Sequence, residues 1–340
     1  ALGNTEEVKR HLDDESWRPY AGHNTLFRYY LKEGNYGKML YHLTIEEYKS
    51  YSWKAFVTCG VAGLGWALFL IHLGSAWFWK RKEQLLIPTA LTLGFISTIF
   101  CLGLVVVQDH LLNHQGFEGK SVIYNLAYCV LGIGLREEVC KLLFFLPLLY
   151  FIKDIKEDYK ILCYCSLVGL GFAIEENIGY FMRYGQDAIM ARFLTANFAH
   201  TFMTGFTCYY LVKAVQRGGH AWDEFTTTFL KMIGIHGIYD FLLSDPTMIA
   251  KGMPFFSMMI YVYLAMLYLR LLMNTAPPAH QFVSLTRVFT IVLCCTIGVI
   301  FMMISSETGM KTAIKAIASG IVVYAIYAYM FYREFNERIG

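Results

Sequence analysis

The sequence predicts an all-α, polytopic membrane protein: a bundle of about eight or nine transmembrane helices with a polar N-terminal segment. Of its 340 residues, 56% are hydrophobic and only 16% are charged, whereas soluble domains carry about 25% charged residues. Apolar windows of about 20 residues, the length that crosses a bilayer, recur along the chain. The predicted surroundings of these windows are the lipid bilayer. The net charge of +3 is too small to indicate a nucleic-acid partner.

The domain boundaries follow from the change in polarity along the chain. Residues 1–52 are polar and rich in tyrosine, which predicts a membrane-surface segment or a small extramembrane cap. Residues 53–333 form the predicted transmembrane domain. The predicted spans are 54–79, 85–107, 121–152, 161–182, 193–215, 225–244, 255–273, 288–306 and 314–332. The third is long enough for one tilted helix or for a helix broken at Gly132 and Gly134.

The distribution of lysine and arginine predicts the orientation. The loops at 80–82, 153–160, 213–217 and 270–287 are rich in these residues and alternate with poorer loops. Basic loops stay in the cytoplasm, which places the C-terminal tail inside and residues 1–52 outside. Counting Lys54, the N-terminal segment carries eight Lys and Arg residues of its own, but acidic residues interleave them and long segments follow the rule poorly.

Two adjacent glutamates, Glu137 and Glu138, lie inside the third apolar window. A charged side chain at mid-bilayer costs roughly 2.5–3.5 kcal/mol on insertion scales, so such residues indicate a functional site. Lys141 follows Glu137 at i,i+4 and Glu138 at i,i+3, so its ammonium reaches either carboxylate. A structural ion pair explains one glutamate but leaves the second unexplained.

Three further windows carry polar residues at a similar depth. These are Glu175, Glu176 and Asn177 in the fourth window, His200 in the fifth, and His236 and Asp240 in the sixth. With a rise of about 1.5 Å per residue, Glu138 and Glu176 both lie roughly 22 Å from the inner face. His236 and His200 lie roughly 17 and 20 Å from it. The shared depth predicts one composite site.

The residue types at this depth are suited to hydrolysis. Two histidines on separate helices, with carboxylates beside them, supply zinc ligands, and a catalytic zinc site has three protein ligands and an open position. A remaining carboxylate acts as general base on the bound water. Asp240, four residues after His236, either orients that ring or is itself a ligand. Asn177 offers an amide donor for an oxyanion, and Lys141 holds the carboxylate pair electrostatically.

Four motifs occur in order on successive windows: Glu-Glu-x-x-Lys (137–141), Gly-Phe-Ala-x-x-Glu-Asn (171–177), His-x-x-x-x-Gly (200–205) and His-Gly-x-Tyr-Asp-Phe (236–241). They resemble the motifs of the PrsW intramembrane proteases, which are grouped with the CAAX prenyl endopeptidases and Abi proteins. The resemblance covers residues 85–245 and leaves 255–333 as additional C-terminal helices. It implies a multi-pass peptidase of a bacterial plasma membrane that cuts a membrane-anchored protein on the extracytoplasmic side. In the family's best-known role that substrate is an anti-sigma factor.

By matching position, the resemblance implies a catalytic set and a supporting set. The catalytic residues are Glu137, Glu138, Glu176, His200 and His236, and the supporting residues are Lys141, Asn177 and Asp240. Glu175 stands where the motif does not demand an acid and ranks lower. A zinc ion would lie among Glu138, Glu176, His200 and His236, with Glu137 or Glu138 as the general base.

Several alternatives remain open at this point. In the first alternative the protein is a metal-independent glutamic or CAAX-type endopeptidase, in which a glutamate and a histidine activate water directly. The CAAX relatives have His where this chain has Glu176, which leaves the substrate class open. A proton-coupled transporter or channel also uses Glu and His in a membrane, although no inverted halves are visible here. A third alternative is a non-catalytic scaffold. The sequence predicts neither the substrate's identity nor the oligomeric state.

Overall fold

All regular secondary structure in the described part of the chain is helical. The computed structural model describes residues 10–14, 16, 18, 21–112, 116–184, 186–275, 284–318, 325, 329, 332 and 333. The helices are α1 (His23–Lys32), α2 (Tyr36–Ser50), α3 (Trp53–Leu73), α4 (Arg81–Leu112), α5 (Val122–Ala127), α6 (Leu135–Ile152), α7 (Asp158–Tyr184), α8 (Gln186–Arg217), α9 (Ala221–Ser244), α10 (Pro246–Ala250), α11 (Pro254–Thr275) and α12 (Leu285–Thr308). A 3₁₀ turn at Ala76–Phe78 follows α3, and a π-helix at Tyr128–Gly134 joins α5 to α6.

The predicted helical membrane fold is confirmed. Among the described residues, five helices are long and apolar enough to cross a membrane: α3, α4, α7, α11 and α12. Helices α6, α8 and α9 fill the predicted third, fifth and sixth windows but are not among these five, and they carry most of the polar residues singled out above. The count of eight or nine spans stays a prediction, and the window at 314–332 falls mostly outside the described residues.

The chain divides into two compact units. The first comprises residues 1–52 and 99–115, and the second comprises residues 53–98 and 116–340. In the first unit, α1 and α2 enclose a small apolar core made by Leu12, Leu26, Tyr29, Tyr30, Met39 and Leu43. Asn35 begins α2 by accepting a hydrogen bond from the Lys38 backbone N–H, which satisfies one of the free donors of the first turn. The described residues of the polar N-terminal segment are therefore folded and mainly helical.

In the second unit, the predicted third window is one run of helix with a wider turn inside it. The π-helix ends at Gly134, and α6 begins at the next residue, so Glu137 and Glu138 lie in the first turn of α6. A π segment is rare inside helices and is frequent at functional sites. The glycines that suggested a break therefore lie in a π turn that keeps the helix continuous.

Glycines let the backbones of the central helices approach each other closely. A Cβ added at Gly169 of α7 would lie 2.2 Å from the His200 carbonyl oxygen of α8. One added at Gly237 of α9 would lie 2.4 Å from the Val130 Cα of the π-helix. Both distances are shorter than any real Cβ contact, so only glycine fits. These crossings bring the first turn of α6 and the middles of α7, α8 and α9 together.

Candidate active site

Lys141 lies at the centre of the polar site. Its side chain has no solvent exposure, and its Nζ donates to Glu138 Oε1 at 2.7 Å and to His200 Nδ1 at 2.8 Å. The same Nζ lies 3.7 Å from Glu137 Oε2 and 4.2 Å from the centre of the Phe172 ring. An ammonium only donates hydrogen bonds, so His200 Nδ1 is the acceptor and its proton is on Nε2. Lys141 therefore links α6 to α8 and fixes the tautomer of His200.

His236 is oriented by Glu138. Its Nδ1 lies 2.9 Å from Glu138 Oε1, so the ring donates to this carboxylate. The other ring nitrogen, Nε2, lies 3.5 Å from Glu137 Oε2 and 3.3 Å from Asp240 Oδ2. With the proton on Nδ1, the Nε2 lone pair faces two carboxylates, which is repulsive unless a proton or a cation lies between them.

Glu176 joins His200 to an arginine. Its Oε2 accepts from His200 Nε2 at 2.9 Å and from Arg192 Nη2 at 2.6 Å. Arg192 Nε also donates to Asn177 Oδ1 at 2.9 Å. The guanidinium lies over the Tyr180 ring, with Cζ 3.5 Å from the ring centre. Both nitrogens of His200 are therefore held, Nδ1 by Lys141 and Nε2 by Glu176.

The structure brings the predicted catalytic residues together, and with them two of the three supporting residues. Each predicted catalytic residue lies within 3.7 Å of another member of the site, and Lys141 and Asp240 take part in these contacts. Asp240 lies beside the His236 ring, with Oδ2 3.3 Å from Nε2, while Glu138 binds the Nδ1 of the same ring. The Asn177 amide donates to Asn197 Oδ1 at 2.8 Å, so it serves the contact between α7 and α8.

Sequence reasoning missed Arg192. The predicted fifth span begins at residue 193 and leaves Arg192 outside it, whereas α8 begins at Gln186. Arg192 precedes His200 by about two helical turns, so both side chains lie toward the same side of α8. That spacing, read together with the buried acid Glu176, was the signal available in the sequence.

The residues present fit a divalent metal ion. Ligand atoms of Glu137, His200 and His236 all lie within 4.8 Å of one another. Glu137 Oε2 is buried and accepts no hydrogen bond from the described residues. The four carboxylates of the contacts above, with charge −4 when ionised, face the +2 of Lys141 and Arg192, which leaves −2. This group contains both predicted histidines, with Glu137 in place of the predicted Glu138 and Glu176. Glu138 Oε1 binds Lys141 and His236, and Glu176 Oε2 binds His200 and Arg192.

Comparison with known proteins decides the family. The model of the PrsW family intramembrane metalloproteases matches residues 82–272, more than half of the chain and every site residue described above. The chain belongs to this family. The predicted resemblance to the PrsW proteases is therefore confirmed, and the match extends beyond 85–245 into α11.

Two bacterial relatives carry the name Protease PrsW. The relative from Geobacillus kaustophilus (strain HTA426) is 27% identical over 156 residues, which cover 44% of this chain and 68% of the relative. The relative from Oceanobacillus iheyensis (strain DSM 14371) is 28% identical over 137 residues, which cover 40% of this chain and 60% of the relative. No solved structure matches the chain. Membership of the PrsW family makes this an intramembrane protease embedded by several apolar helices.

Proposed function

We propose that the site formed by α6 to α9 hydrolyses a peptide bond of a membrane-anchored protein. The observation that carries this proposal is the meeting of Glu137, His200 and His236 within 4.8 Å, in a buried position of a PrsW family chain. Carboxylate and imidazole groups at this distance from one another activate water for attack on a carbonyl. The family's best-known role suggests a substrate like an anti-sigma factor, cut on the extracytoplasmic side.

The side chains divide the work according to their contacts. Glu137 and Glu138 each carry a buried Oε2 without a hydrogen bond from the described residues, and that of Glu137 lies 3.5 Å from His236 Nε2, so Glu137 is the group best placed to take a proton from water. Glu138 holds Lys141 and His236 and orients both. His236 directs Nε2 toward Glu137 and Asp240, where a reacting water would be shared. Lys141 offers positive charge close to the position where an oxyanion would form.

Zinc is the metal that the ligand types favour. Glu137, His200 and His236 would hold it, and the bound ion would polarise the substrate carbonyl and acidify a water molecule. In that case Glu176, beside His200, is the remaining carboxylate able to accept a proton.

A metal-independent glutamic peptidase is the second candidate mechanism. One observation favours it: His200 Nδ1 accepts a hydrogen bond from Lys141, which leaves Nε2 protonated and bound to Glu176. Two protons would then balance the excess charge of −2 in place of one divalent ion.

The first experiment tests whether the site cuts peptides. Purified protein in nanodiscs would be given a membrane-anchored reporter, and the initial rate of product formation measured. Loss of a general base or of its partner lowers rates by about 10²–10⁴-fold, so we expect such losses for Glu137→Gln and His236→Ala. The matched controls are Glu224→Gln and His220→Ala, which alter exposed residues and should cut at the native rate. Native rates for both site variants would contradict the proposal.

The second experiment separates the two mechanisms. Metal content would be measured by mass spectrometry on the native protein and on His236→Ala, and cleavage would be repeated with a strong chelator. The zinc mechanism predicts about one zinc per chain, lost in His236→Ala, and inhibition by the chelator. A native protein without bound metal that cuts at full rate in chelator would establish the glutamic mechanism.

A further inference from the structure

The contacts of Arg192 with α7 use three neighbouring residues of that helix. Its Nη2 donates to Glu176, its Nε donates to Asn177, and its guanidinium lies over the Tyr180 ring. Because the guanidinium is planar and its donors have fixed directions, two hydrogen bonds and the contact with the Tyr180 ring determine its position. Arg192 is therefore held rigidly, and the carboxylate that it binds is held with it.

The oxygen that binds Arg192 is the same one that binds His200. Glu176 Oε2 lies 2.6 Å from Arg192 Nη2 and 2.9 Å from His200 Nε2. The ion pair therefore sets the rotamer of Glu176 that reaches the imidazole. Without the guanidinium, the strongest remaining cation in the site is the Lys141 ammonium, which already binds Glu138. A carboxylate in a low-dielectric site moves toward the nearest available positive charge.

The site is graded in exposure, and Arg192 lies at its open side. The side chains of Arg192 and Glu176 are 21% and 19% exposed, whereas those of Lys141, Glu138 and His236 are between 0% and 3% exposed. His200 contacts Lys141 and Glu176, and Glu176 is the one of these two residues that water reaches more easily. Water forms hydrogen bonds with an exposed carboxylate and so competes with its protein partners. The Glu176 carboxylate therefore needs a partner that fixes its orientation.

We propose that Arg192 is a positioning residue of the protease site: it holds Glu176 against His200 and keeps that carboxylate from turning toward Lys141. The proposal rests on the proposed function of the site. Arg192 acts through Glu176, so its removal impairs the chemical step and leaves substrate binding intact.

The competing explanation is that Arg192 only ties α7 to α8. A second tie exists close by, because the Asn177 amide donates to Asn197 Oδ1 at 2.8 Å. Gly169 also packs against the His200 backbone, which joins the same two helices independently of Arg192. A purely structural role would therefore change stability, whereas a positioning role would change turnover.

The test is a double-mutant cycle on cleavage of the membrane-anchored reporter, with kcat and KM measured separately. Loss of a group that orients a site residue lowers activity by about 10–100-fold. We expect this fall in kcat for Arg192→Ala, with KM within about threefold of native. Because Arg192 acts through Glu176, the double variant Arg192→Ala/Glu176→Gln should be no slower than the slower single variant by more than about threefold. The matched control is Arg217→Ala, an exposed arginine of the same helix, which should match the native protein.

Thermal unfolding and chemical rescue complete the test. Guanidinium ion, at concentrations that leave thermal unfolding unchanged, should restore part of the kcat of Arg192→Ala and none of that of Glu137→Gln. If Arg192→Ala fails to fold, Arg192→Lys decides, because it keeps the charge and loses the planar fork; we expect a folded protein with lowered kcat and native KM. Native kcat for the folded variant, or multiplicative losses in the cycle, would overturn the inference. Glu137→Gln would still be inactive in that case, so the proposed function would stand.

Discussion

A lysine without solvent exposure in the middle of an apolar helix bundle needs compensation for its charge. Lys141 obtains it from Glu138 and His200 within 2.8 Å and from the face of the Phe172 ring. The Glu138 side chain, which pairs with Lys141, is almost as deeply buried as Lys141 itself, so water compensates neither charge. Such pairs contribute little net stability, but removing one partner is costly because the other charge is left alone. The arrangement therefore stabilises one particular geometry more than it stabilises the fold.

Lys141→Met should destabilise the protein and abolish cleavage. Breaking a buried ion pair costs about 3–5 kcal/mol, which should lower the temperature of thermal unfolding. The double variant Lys141→Met/Glu138→Gln removes both charges, so we expect it to recover most of that stability while remaining inactive. Lys251→Met, at an exposed lysine, is the control. A Lys141→Met protein with native stability would contradict the ion-pair argument.

The helices approach each other closely at the site because glycines lie where they cross. Gly237 of α9 packs on the π-helix. A Cβ added at Gly134, the last residue of that π-helix, would lie 2.7 Å from the Ile233 carbonyl oxygen. His236 is the neighbour of Gly237, and α6 begins directly after Gly134. The same crossing therefore sets the distance between His236 and Glu138.

Two glycines of α9 should respond in opposite directions to alanine. The added methyl of Gly237→Ala meets backbone atoms of Cys129 and Val130, which cannot move aside, so we expect a loss of roughly 1–3 kcal/mol from overpacking. Gly234→Ala is the matched control, since nothing lies within 4 Å of its Cβ. There the better helix propensity of alanine should add up to about 1 kcal/mol. Thermal unfolding measures both, and cleavage should fall only in Gly237→Ala. Equal stability of the two variants would refute the close crossing.

The whole chain combines a small folded unit with a membrane unit of apolar helices. The first unit has its own core, whose apolar members come from α1, α2, the end of α4 and the segment before α1 that contains Leu12. The second contains every residue of the proposed site. The orientation of this second unit stays a prediction from the basic loops, which places the turn before α5 outside and the turn after α6 inside.

Cysteine labelling tests that orientation. Glu118→Cys and Lys156→Cys place thiols at exposed positions on either side of the run from α5 to α6. The background is Cys294→Ser/Cys295→Ser, because these are the exposed cysteines in the described part of the chain. A membrane-impermeant maleimide should label Glu118→Cys in intact cells and Lys156→Cys only after permeabilisation. The opposite pattern would mean that the orientation is reversed and that the Lys and Arg residues of the N-terminal segment set it.

The sequence by itself determined the helical membrane class and the family, and it predicts the depth at which the polar residues lie. The class follows from composition, the family from the four ordered motifs, and the predicted depth from the rise of a helix along the chain. The tertiary structure decided which atoms meet: that Glu138 binds His236 Nδ1, that Glu137 faces Nε2, and that Arg192 binds Glu176. The direction of a side chain around a helix axis depends on the π turn and on how closely neighbouring helices cross. Both are set by packing between distant segments, so counting residues predicts height in the membrane but not the partner across it.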